Sequence, residues 1–493
     1  MASALSSSLH VSQVRREYNS ASSLASTDPA CAGLNTFTMV NKHINFNAIP
    51  DLAESVRLRL FAPNDNCDLH CFVINQPIFG GYNICYPIHF TDGVIWLVKI
   101  PATGTPDGFT EQDAAMLTTE ARVMQLLRDK IPVPEIFAFD ASFNSAIDVP
   151  YILMEYIDGT PLCHAWRDRS VPVEQLRERN CRTLQQLANA MLQLSEFEFM
   201  EGGSPQFNET GQLLTAVGPV WSELLAAAAQ TTGNAGSTGK PKRFCRQHGP
   251  FKDAKSFFRA GSNHEPRDDR DRGFRMLIEL FLDWIPDNPP GSLPFVLTHP
   301  DLNLQNVLVN EEGDLVGLID WDGVRAVPRC LGNEAYPKWL LKDWNPLVYN
   351  WTEAGETENE GRQHNSPEEL AFYRHIYESA IIENKTLLGS GHGTGSTTRS
   401  SLLLGTLYEA VESWSFGDET IIHGVFNKIR DAAEYEMNDE VENGKKEDNK
   451  AEMEGEYDEE LFELHTILDA ISQDGLKDRH LELLKRGFNY FMA

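Results

Sequence analysis

Residues 297–327 read LTHPDLNLQNVLVNEEGDLVGLIDWDGVRAV, and two of their segments have the pattern of short buried strands. These apolar segments, 307–309 and 315–319, flank a polar turn in which Gly313 can take a positive φ. Two apolar runs joined by a short glycine-containing loop predict a β-hairpin. Closing this hairpin gathers three polar side chains at its open end: Asp301, Asn306 and Asp320.

The polar residues at the open end of the hairpin predict phosphoryl-transfer chemistry. A carboxylate and an amide are costly to bury unpaired. Such hard oxygen ligands suit Mg²⁺, which takes one or two protein carboxylates together with phosphate oxygens and water. A second carboxylate nearby can accept a proton from a substrate hydroxyl. The spacing His-x-Asp-x-x-x-x-Asn, followed by a strand pair and an Asp, is that of the catalytic loop and metal-binding Asp of kinases.

The details of this stretch differ from protein kinases. Pro300 replaces the Arg of the protein-kinase loop, Asp320-Trp321-Asp322 replaces Asp-Phe-Gly, and no Ala-Pro-Glu follows. The stretch resembles the aminoglycoside phosphotransferase family, the small-molecule branch of the kinase-like fold that includes choline and related kinases. It is most similar to the fungal branch of that family, through residues 320–325, 328–334, 336–340 and 343–346. The resemblance implies an α+β, two-lobed protein-kinase-like fold with a small β-rich N-lobe and a large, mainly helical C-lobe.

The resemblance also implies roles for the residues of this stretch. Asp301 would orient and deprotonate the acceptor hydroxyl. Asn306 and Asp320 would hold Mg²⁺ on the phosphates of ATP. His299 is expected to support the loop rather than to react. Asp322 is either an acidic residue that supports the metal ligands without contacting the metal, or a structural residue.

A lysine lies inside the apolar run Trp96–Ile100 and predicts a buried ion pair. Burying an ammonium group demands a partner, although Lys99 could also lie on the solvent face of an alternating strand. The following helical segment, 111–130, places Glu120 on the same face as the apolar residues Met116, Val123 and Leu127. Glu120 is therefore the expected partner of Lys99, as in the Lys–Glu pair of kinase-like folds.

A glycine turn ahead of the lysine strand is a candidate phosphate-binding loop. Backbone N–H groups at Gly80 and Gly81 could approach phosphate oxygens, but a plain hairpin turn would have the same pattern. With Asn83, the turn resembles the Gly-x-Asn nucleotide loop of the family. The resemblance further implies an interlobe hinge, where backbone groups near Glu155 and Ile157 would meet adenine.

Composition excludes several classes of partner. The chain has 493 residues and a formal net charge of −30, which argues against nucleic acid and against anionic membrane surfaces. No apolar run has the length of a transmembrane helix. The eight cysteines show no paired framework and favour reduced thiols in an intracellular compartment. Cys67-x-x-His70-Cys71 is either half of a zinc site or a set of plain thiols.

Changes in composition predict five segments. They are a disordered N-terminal tail (1–45), a nucleotide-binding N-lobe with one helix (46–157), a catalytic and acceptor-binding C-lobe (158–435), an acidic linker (436–460) and C-terminal helices (461–493). A helix is also expected over Val220 to Gln230. The expected location is cytoplasmic, although Arg15 and Arg16 among serines leave a mitochondrial transit peptide possible.

Together these features predict an ATP- and Mg²⁺-dependent phosphotransferase that moves the γ-phosphate of ATP to a hydroxyl of a small molecule. No motif names the acceptor or the oligomeric state. One alternative is a catalytically inactive kinase-like binding or scaffold protein, which would have no need of all three polar residues at the hairpin. The other is a protein kinase, which would be expected to keep the Arg before Asp301 and the Ala-Pro-Glu segment.

Overall fold

A computed structural model describes most of the chain and divides it into two compact units. The described residues are 37–61, 69–224, 244–261, 266–286, 293–352, 364–387, 397–415, 419–442, 463–473 and 475–492. Unit 1 comprises Met1–Thr183, Phe207–Gln212 and Pro300–Val324, and unit 2 comprises Leu184–Gln206, Leu213–His299 and Arg325–Ala493. The predicted α+β class is confirmed, since an antiparallel sheet forms the N-terminal part and helices dominate the C-terminal part.

The main feature of unit 1 is a six-stranded antiparallel sheet with the strand order β1-β3-β4-β6-β5, with β2 paired to β3. One face of β3 is buried at every second residue, as expected for a strand with one core face. β3 pairs antiparallel with β4 along its length, so the two strands form a hairpin. The strands are β1 (Cys71–Val73), β2 (Ile78–Phe79), β3 (Asn83–Phe90), β4 (Ile95–Pro101), β5 (Ile136–Asp140) and β6 (Tyr151–Glu155).

Two helices pack with this sheet, whereas the sequence predicted one. The predicted helix is α2 (Glu111–Leu127), and its Thr110–Asp113 capping box satisfies backbone donors at the start. The second, α1 (Ala48–Phe61), buries Ile49, Ala53 and Val56. The predicted tail is also wrong at its end, because Phe37, Val40 and Ile44 are buried in the core of the sheet. Residues 1–36 lie outside the described part of the chain.

The predicted hairpin 307–319 is confirmed and lies in unit 1. Strands β14 (Val307–Val309) and β15 (Leu315–Leu318) pair antiparallel, and β7 (Thr160–Pro161) adds a third strand that the sequence did not indicate. Gly313 has a φ of +82°, and a Cβ there would lie 2.8 Å from the backbone oxygen of Arg179. The turn therefore needs glycine for its backbone conformation and for its close packing.

Unit 2 is mainly helical and also contains short strands. The sheet β16-β13-β8 and the pair β11–β12 are antiparallel, and β9 pairs with β10. The strands are β8 (Glu198–Phe199), β9 (Ser204–Phe207), β10 (Leu213–Gly218), β11 (Val220–Leu224), β12 (Phe244–His248), β13 (Phe295–Thr298) and β16 (Arg325–Pro328).

The remaining helices are divided between the two units. α3 (Leu162–Ala165) lies in unit 1, and α4 (Val173–Gln193) begins in unit 1 and ends in unit 2. The others, in unit 2, are α5 (Ala254–Arg259), α6 (Asp269–Asp283), α7 (Pro367–Leu387), α8 (Thr397–Ser415), α9 (Thr420–Glu442), α10 (Leu464–Gln473) and α11 (Asp478–Tyr490). Short 3-10 turns occur in both units, at Leu194–Glu196, Leu304–Asn306, Arg329–Leu331, Lys338–Leu340 and Lys342–Trp344. Among the described helices, none combines the length and apolarity that a membrane span requires.

Two predictions for the helical part are wrong. Val220–Leu224 is a strand, because it pairs with Phe244–His248, a segment too distant in sequence for local periodicity to reveal; residues 225–230 lie outside the described part. Helix α9 continues to Glu442, so the acidic linker does not begin at 436. Residues 443–460 of that linker, and Cys67 of the possible zinc half-site, also lie outside the described residues.

An ion pair on the sheet predicts a pH-dependent contribution to stability. Arg57 donates two hydrogen bonds to Asp92, at 2.9 and 2.5 Å, and these bonds hold the pKa of Asp92 below its ordinary value of 3.8. A carboxyl group whose pKa is lowered in the folded state stabilises the fold at pH values above its ordinary pKa. This stability is lost as the pH falls through the folded-state pKa. Arg57→Met should therefore lower the melting temperature more at neutral pH than at pH 3; an equal loss at both pH values would contradict this.

Candidate active site

The Lys99–Glu120 pair forms as predicted, in unit 1. Lys99 Nζ lies 2.6 Å from Glu120 Oε1, and the two residues are only 5% and 4% exposed. Lys99 therefore does not occupy the solvent face of β4. Burial alone would lower the pKa of Lys99, but the carboxylates of Glu120, Asp320 and Asp322 outweigh it and raise the pKa. Burial raises the pKa of Glu120 to about 7, although Lys99 opposes this shift.

Lys99 also contacts Asp320, which follows the second strand of the hairpin. Lys99 Nζ is 3.2 Å from Asp320 Oδ1, and the Asp320 side chain is 51% exposed. Asp320 has a φ of +65°, a backbone conformation that is costly for residues with a Cβ and clusters at functional sites. The next residue, Trp321, is fully buried and donates its Nε1–H to the Leu318 carbonyl at 3.0 Å. Trp321 thus anchors the turn that presents the Asp320 carboxylate.

Asp301 and Asn306 lie together at the open end of the hairpin, as predicted. The Asn306 amide donates to the Asp301 carbonyl at 2.9 Å and to Asp301 Oδ2 at 3.2 Å. The Ile319 N–H donates to the Asn306 carbonyl at 3.0 Å, which joins this loop to the residue before Asp320. The amide of Asn306, as a hydrogen-bond donor, thus orients the Asp301 carboxylate.

The site fits a magnesium ion carried by a nucleotide. Since the NH₂ group of Asn306 faces Asp301, its Oδ1 faces the other way and can act as a hard ligand. The exposed Asp320 carboxylate could serve as a second ligand. Among the described residues, no group of three or more His, Cys, Asp or Glu side chains could hold a metal ion. Two protein ligands completed by phosphate oxygens and water is the usual arrangement for Mg²⁺.

The predicted phosphate loop is a tight turn between β2 and β3. The Gly80 N–H donates to the Asn83 carbonyl at 2.8 Å, and a Cβ at Gly81 would meet no atom within 4 Å. In the β3–β4 pairing, Asn83 faces Pro101 and Cys85 faces Lys99. The loop is thus connected to the lysine through one strand pair, although none of its three predicted residues has a recorded contact with Lys99.

The predicted hinge residues have structural contacts through their side chains. Glu155 Oε2 accepts the Glu135 N–H at 3.1 Å and pairs with Arg128 at 3.0 Å. Ile157 packs against the hairpin 307–319, since a Cβ at Gly317 would lie 2.9 Å from Ile157 Cδ1. Any contact of these positions with adenine would therefore use backbone atoms.

Three further residues complete the description of the site. His299 is buried, at 4% exposed, and its support of the loop stays a prediction. Asp322 adds negative charge near Lys99. The sequence analysis missed Cys85, whose pKa burial raises to about 12 despite the nearby Lys99. Its position opposite Lys99 could have been found by pairing the apolar run 84–90 antiparallel with the lysine strand.

The backbone conformation of Asp320 gives a testable expectation for stability. Asp320→Asn should leave the fold intact, since Asn tolerates a positive φ. Asp320→Val should lower the free energy of unfolding by about 1–2 kcal/mol relative to Asp320→Asn, because a Cβ-branched residue is strained there. Urea unfolding measures the difference, and the same two substitutions at Asp322, which lacks a positive φ, are the control. An equal difference at both positions would refute the strain argument.

Comparison with known proteins finds a family match over part of the chain. A model of the phosphotransferase enzyme family, APH, matches residues 93–330. A subtelomeric hrmA-associated cluster protein of Aspergillus fumigatus is 26% identical over 137 residues, 27% of this chain. The same similarity is found in a second strain. The match spans 25% of that relative's length.

Several solved structures are similar to this chain at low identity. A putative aminoglycoside phosphotransferase from Ralstonia eutropha is 14% identical, with 90% of this chain and 98% of that one covered and a TM-score of 0.35. A thermostable mutant of an aminoglycoside phosphotransferase is 12% identical, with 76% and 98% covered and a TM-score of 0.37. An ethanolamine kinase from Plasmodium vivax is 13% identical, with 76% and 82% covered and a TM-score of 0.34.

The family match contains the lysine strand, the helix of Glu120 and the whole catalytic hairpin. It agrees with the family indicated by the sequence motifs. The comparison thus finds a match to the phosphotransferase enzyme family over residues 93–330, just under half of the chain.

Proposed function

We propose that this protein transfers the γ-phosphoryl group of ATP to a hydroxyl group of a small molecule, with Mg²⁺. The observation that carries the proposal is the contact network of Lys99 with Glu120 and Asp320, beside the Asp301–Asn306 pair at the same hairpin. Each member supplies a part that kinase-type phosphoryl transfer requires: a general base, metal ligands and a phosphate-binding cation.

In the proposed reaction, the hydroxyl oxygen of the acceptor forms a bond to the γ-phosphorus, and Asp301 accepts the proton of that hydroxyl. The bond from that phosphorus to the bridging oxygen breaks, and ADP leaves with the electron pair. Bound Mg²⁺ would neutralise the charge of the phosphate oxygens, with Asn306 and Asp320 as its protein ligands. Lys99, oriented by Glu120, adds a positive charge for the phosphates. Backbone groups at Gly80, Gly81 and Asn83, and near Glu155 and Ile157, are proposed to contact the nucleotide.

Removing the metal tests the nucleotide part of this proposal. ATP with Mg²⁺ should raise the melting temperature, because a ligand that binds only the folded state stabilises it by about 2.7 kcal/mol at a hundred times its Kd. EDTA should remove most of this effect, and Asp320→Asn should make ATP binding insensitive to EDTA. Stabilisation by ATP that is identical with and without Mg²⁺ in the wild type would exclude Asp320 and Asn306 as metal ligands.

A panel of hydroxylated metabolites, assayed for ATP consumption and for a phosphorylated product, tests the transfer itself. A product that depends on Asp301 supports the proposal. Nucleotide binding without transfer to any small molecule or peptide would favour the inactive binding or scaffold protein. Transfer to peptides alone would favour a protein kinase.

A further inference from the structure

The turn between β9 and β10, residues 208–212, has a fixed shape. Asn208 Oδ1 accepts three hydrogen bonds, from the Thr210 N–H (3.1 Å), the Thr210 hydroxyl (2.8 Å) and the Gln212 N–H (2.9 Å). The Asn208 amide donates to Gln212 Oε1 at 3.0 Å. Gly211 has a φ of +82°, which glycine adopts without steric cost. A turn held by so many internal bonds can act as a rigid contact.

This turn belongs to unit 1 and packs against helix α2. Phe207–Gln212 is assigned to unit 1 with α2, whereas Ser204 to Gln206 and Leu213 to Gly218 are assigned to unit 2. Gly211 lies directly against the guanidinium of Arg122, because a Cβ at Gly211 would come within 2.7 Å of Arg122 Nη1 and 3.1 Å of Cζ. Only glycine at this position permits the observed approach.

Arg122 lies on the opposite face of α2 from Glu120. Two residues correspond to a rotation of about 200° around a helix. The Arg122 guanidinium lies 5.1 Å from the ring centroid of Phe139 on β5, and its Nη1 donates to Gln125 Oε1 at 3.1 Å. The outer face of the helix is therefore fixed between β5 and the turn, while the inner face carries the carboxylate that binds Lys99.

We propose that the turn 208–212 braces helix α2 through Arg122, and that Arg122 is a positioning residue for the Lys99–Glu120 pair. The inference rests on the proposed function, in which this pair presents Lys99 to the phosphates. A shift of α2 by 1 Å would lengthen the 2.6 Å contact beyond hydrogen-bonding distance. The brace would restrain such a shift from within the same chain.

Two glycine positions separate the effect of the Gly211–Arg122 contact from the effect of backbone strain. Gly93 and Gly211 both have a positive φ, of +93° and +82°, but a Cβ at Gly93 would meet no atom within 4 Å. Gly93→Ala and Gly211→Ala therefore impose a similar backbone strain, and only Gly211→Ala displaces Arg122. We expect Gly211→Ala and Arg122→Ala to lower kcat roughly tenfold to a hundredfold, as misplacement by about 1 Å can do, and Gly93→Ala to leave it within twofold. Equal losses in both glycine variants would overturn the proposal.

A double-mutant cycle separates positioning from general stabilisation. If Arg122 acts through Glu120, Arg122→Ala should reduce kcat no further in a Glu120→Gln background. A reduction by the same factor in both backgrounds would overturn the proposal. Arg122→Met, which keeps the apolar stem, serves if Arg122→Ala does not fold.

Hydrogen exchange of the α2 amides provides a readout that does not depend on phosphate transfer. Exchange should be faster in Gly211→Ala than in Gly93→Ala, and equal rates would overturn the brace even in an inactive protein. If no acceptor is phosphorylated by the wild type, the proposed function fails, while this comparison still decides whether the turn holds the helix.

Discussion

Replacing Asp301 by Asn should lower kcat by about 10²–10⁴-fold, the range typical of positioned general-base catalysis. The substitution removes the proton acceptor but keeps the size of the side chain and an oxygen for the Asn306 contact, now 3.2 Å long. Nucleotide affinity should stay close to that of the wild type, since Asp301 is not among the proposed phosphate or metal ligands. Single-turnover kinetics with a verified acceptor, together with nucleotide titration, measures both quantities.

The exposed Glu311 in the turn of the same hairpin provides a control for Asp301. Glu311→Gln changes the same charge in the same element, and it should alter kcat by less than about twofold because exposed substitutions away from specific contacts have small effects. Near-normal turnover by Asp301→Asn would remove Asp301 from the mechanism. A collapse of nucleotide binding in that variant would instead indicate that the loop had rearranged.

Breaking the Lys99–Glu120 pair should have the largest effect on stability. Removing one partner of a buried ion pair leaves the other charge uncompensated and costs about 3–5 kcal/mol. Lys99→Met should show most of this loss in urea unfolding at neutral pH, and it also removes the phosphate contact. Glu120→Gln keeps a hydrogen-bonding group and should cost less stability, while lowering turnover.

The pH dependence of Lys99→Met follows from Glu120. Burial already raises the pKa of this carboxyl from 4.5 to about 7, and loss of the lysine removes the group that opposes the shift. Because the folded state then binds a proton more tightly than the unfolded state, the variant should lose stability as the pH rises above 4.5 and through the folded-state pKa. The control is the double variant Lys99→Met/Glu120→Gln, which lacks the carboxyl group. If the stability of Lys99→Met has the same pH dependence as that of the double variant, Glu120 is not the uncompensated charge.

Additivity tests whether the two residues function together. Coupled residues in contact give non-additive effects in a double-mutant cycle. If the effects of Lys99→Met and Glu120→Gln on turnover simply add, the pair is not functional, whatever its geometry.

Local patterns were sufficient to predict most of the site. The hairpin follows from two apolar runs around Gly313, and its closure places Asn306 next to the strand end that leads to Asp320. Lys99 and Glu120 could be paired because each is a charged residue on an otherwise apolar face. These inferences need only the period of a strand or helix and the cost of burying an unpaired charge.

The features that the sequence did not reveal depend on contacts between distant segments. Val220–Leu224 becomes a strand because Phe244–His248 pairs with it. Thr160–Pro161 joins the hairpin sheet across nearly 150 positions of sequence. The contact of Gly211 with Arg122 likewise joins a turn to a helix far from it in the chain. Local propensity carries no information about such partners, so tertiary structure decides these elements.

The ordered residues before α1 bear on how the protein should be produced. Phe37 is 2% exposed, and its ring centroid lies 5.6 Å from that of Phe79, the residue before Gly80. Asn41 Oδ1 accepts the Tyr86 hydroxyl at 2.9 Å. A recombinant version that starts at residue 46 would therefore lack the side chains that contact Phe79 and Tyr86 on either side of the glycine turn. An affinity tag or protease site is better placed upstream of residue 37.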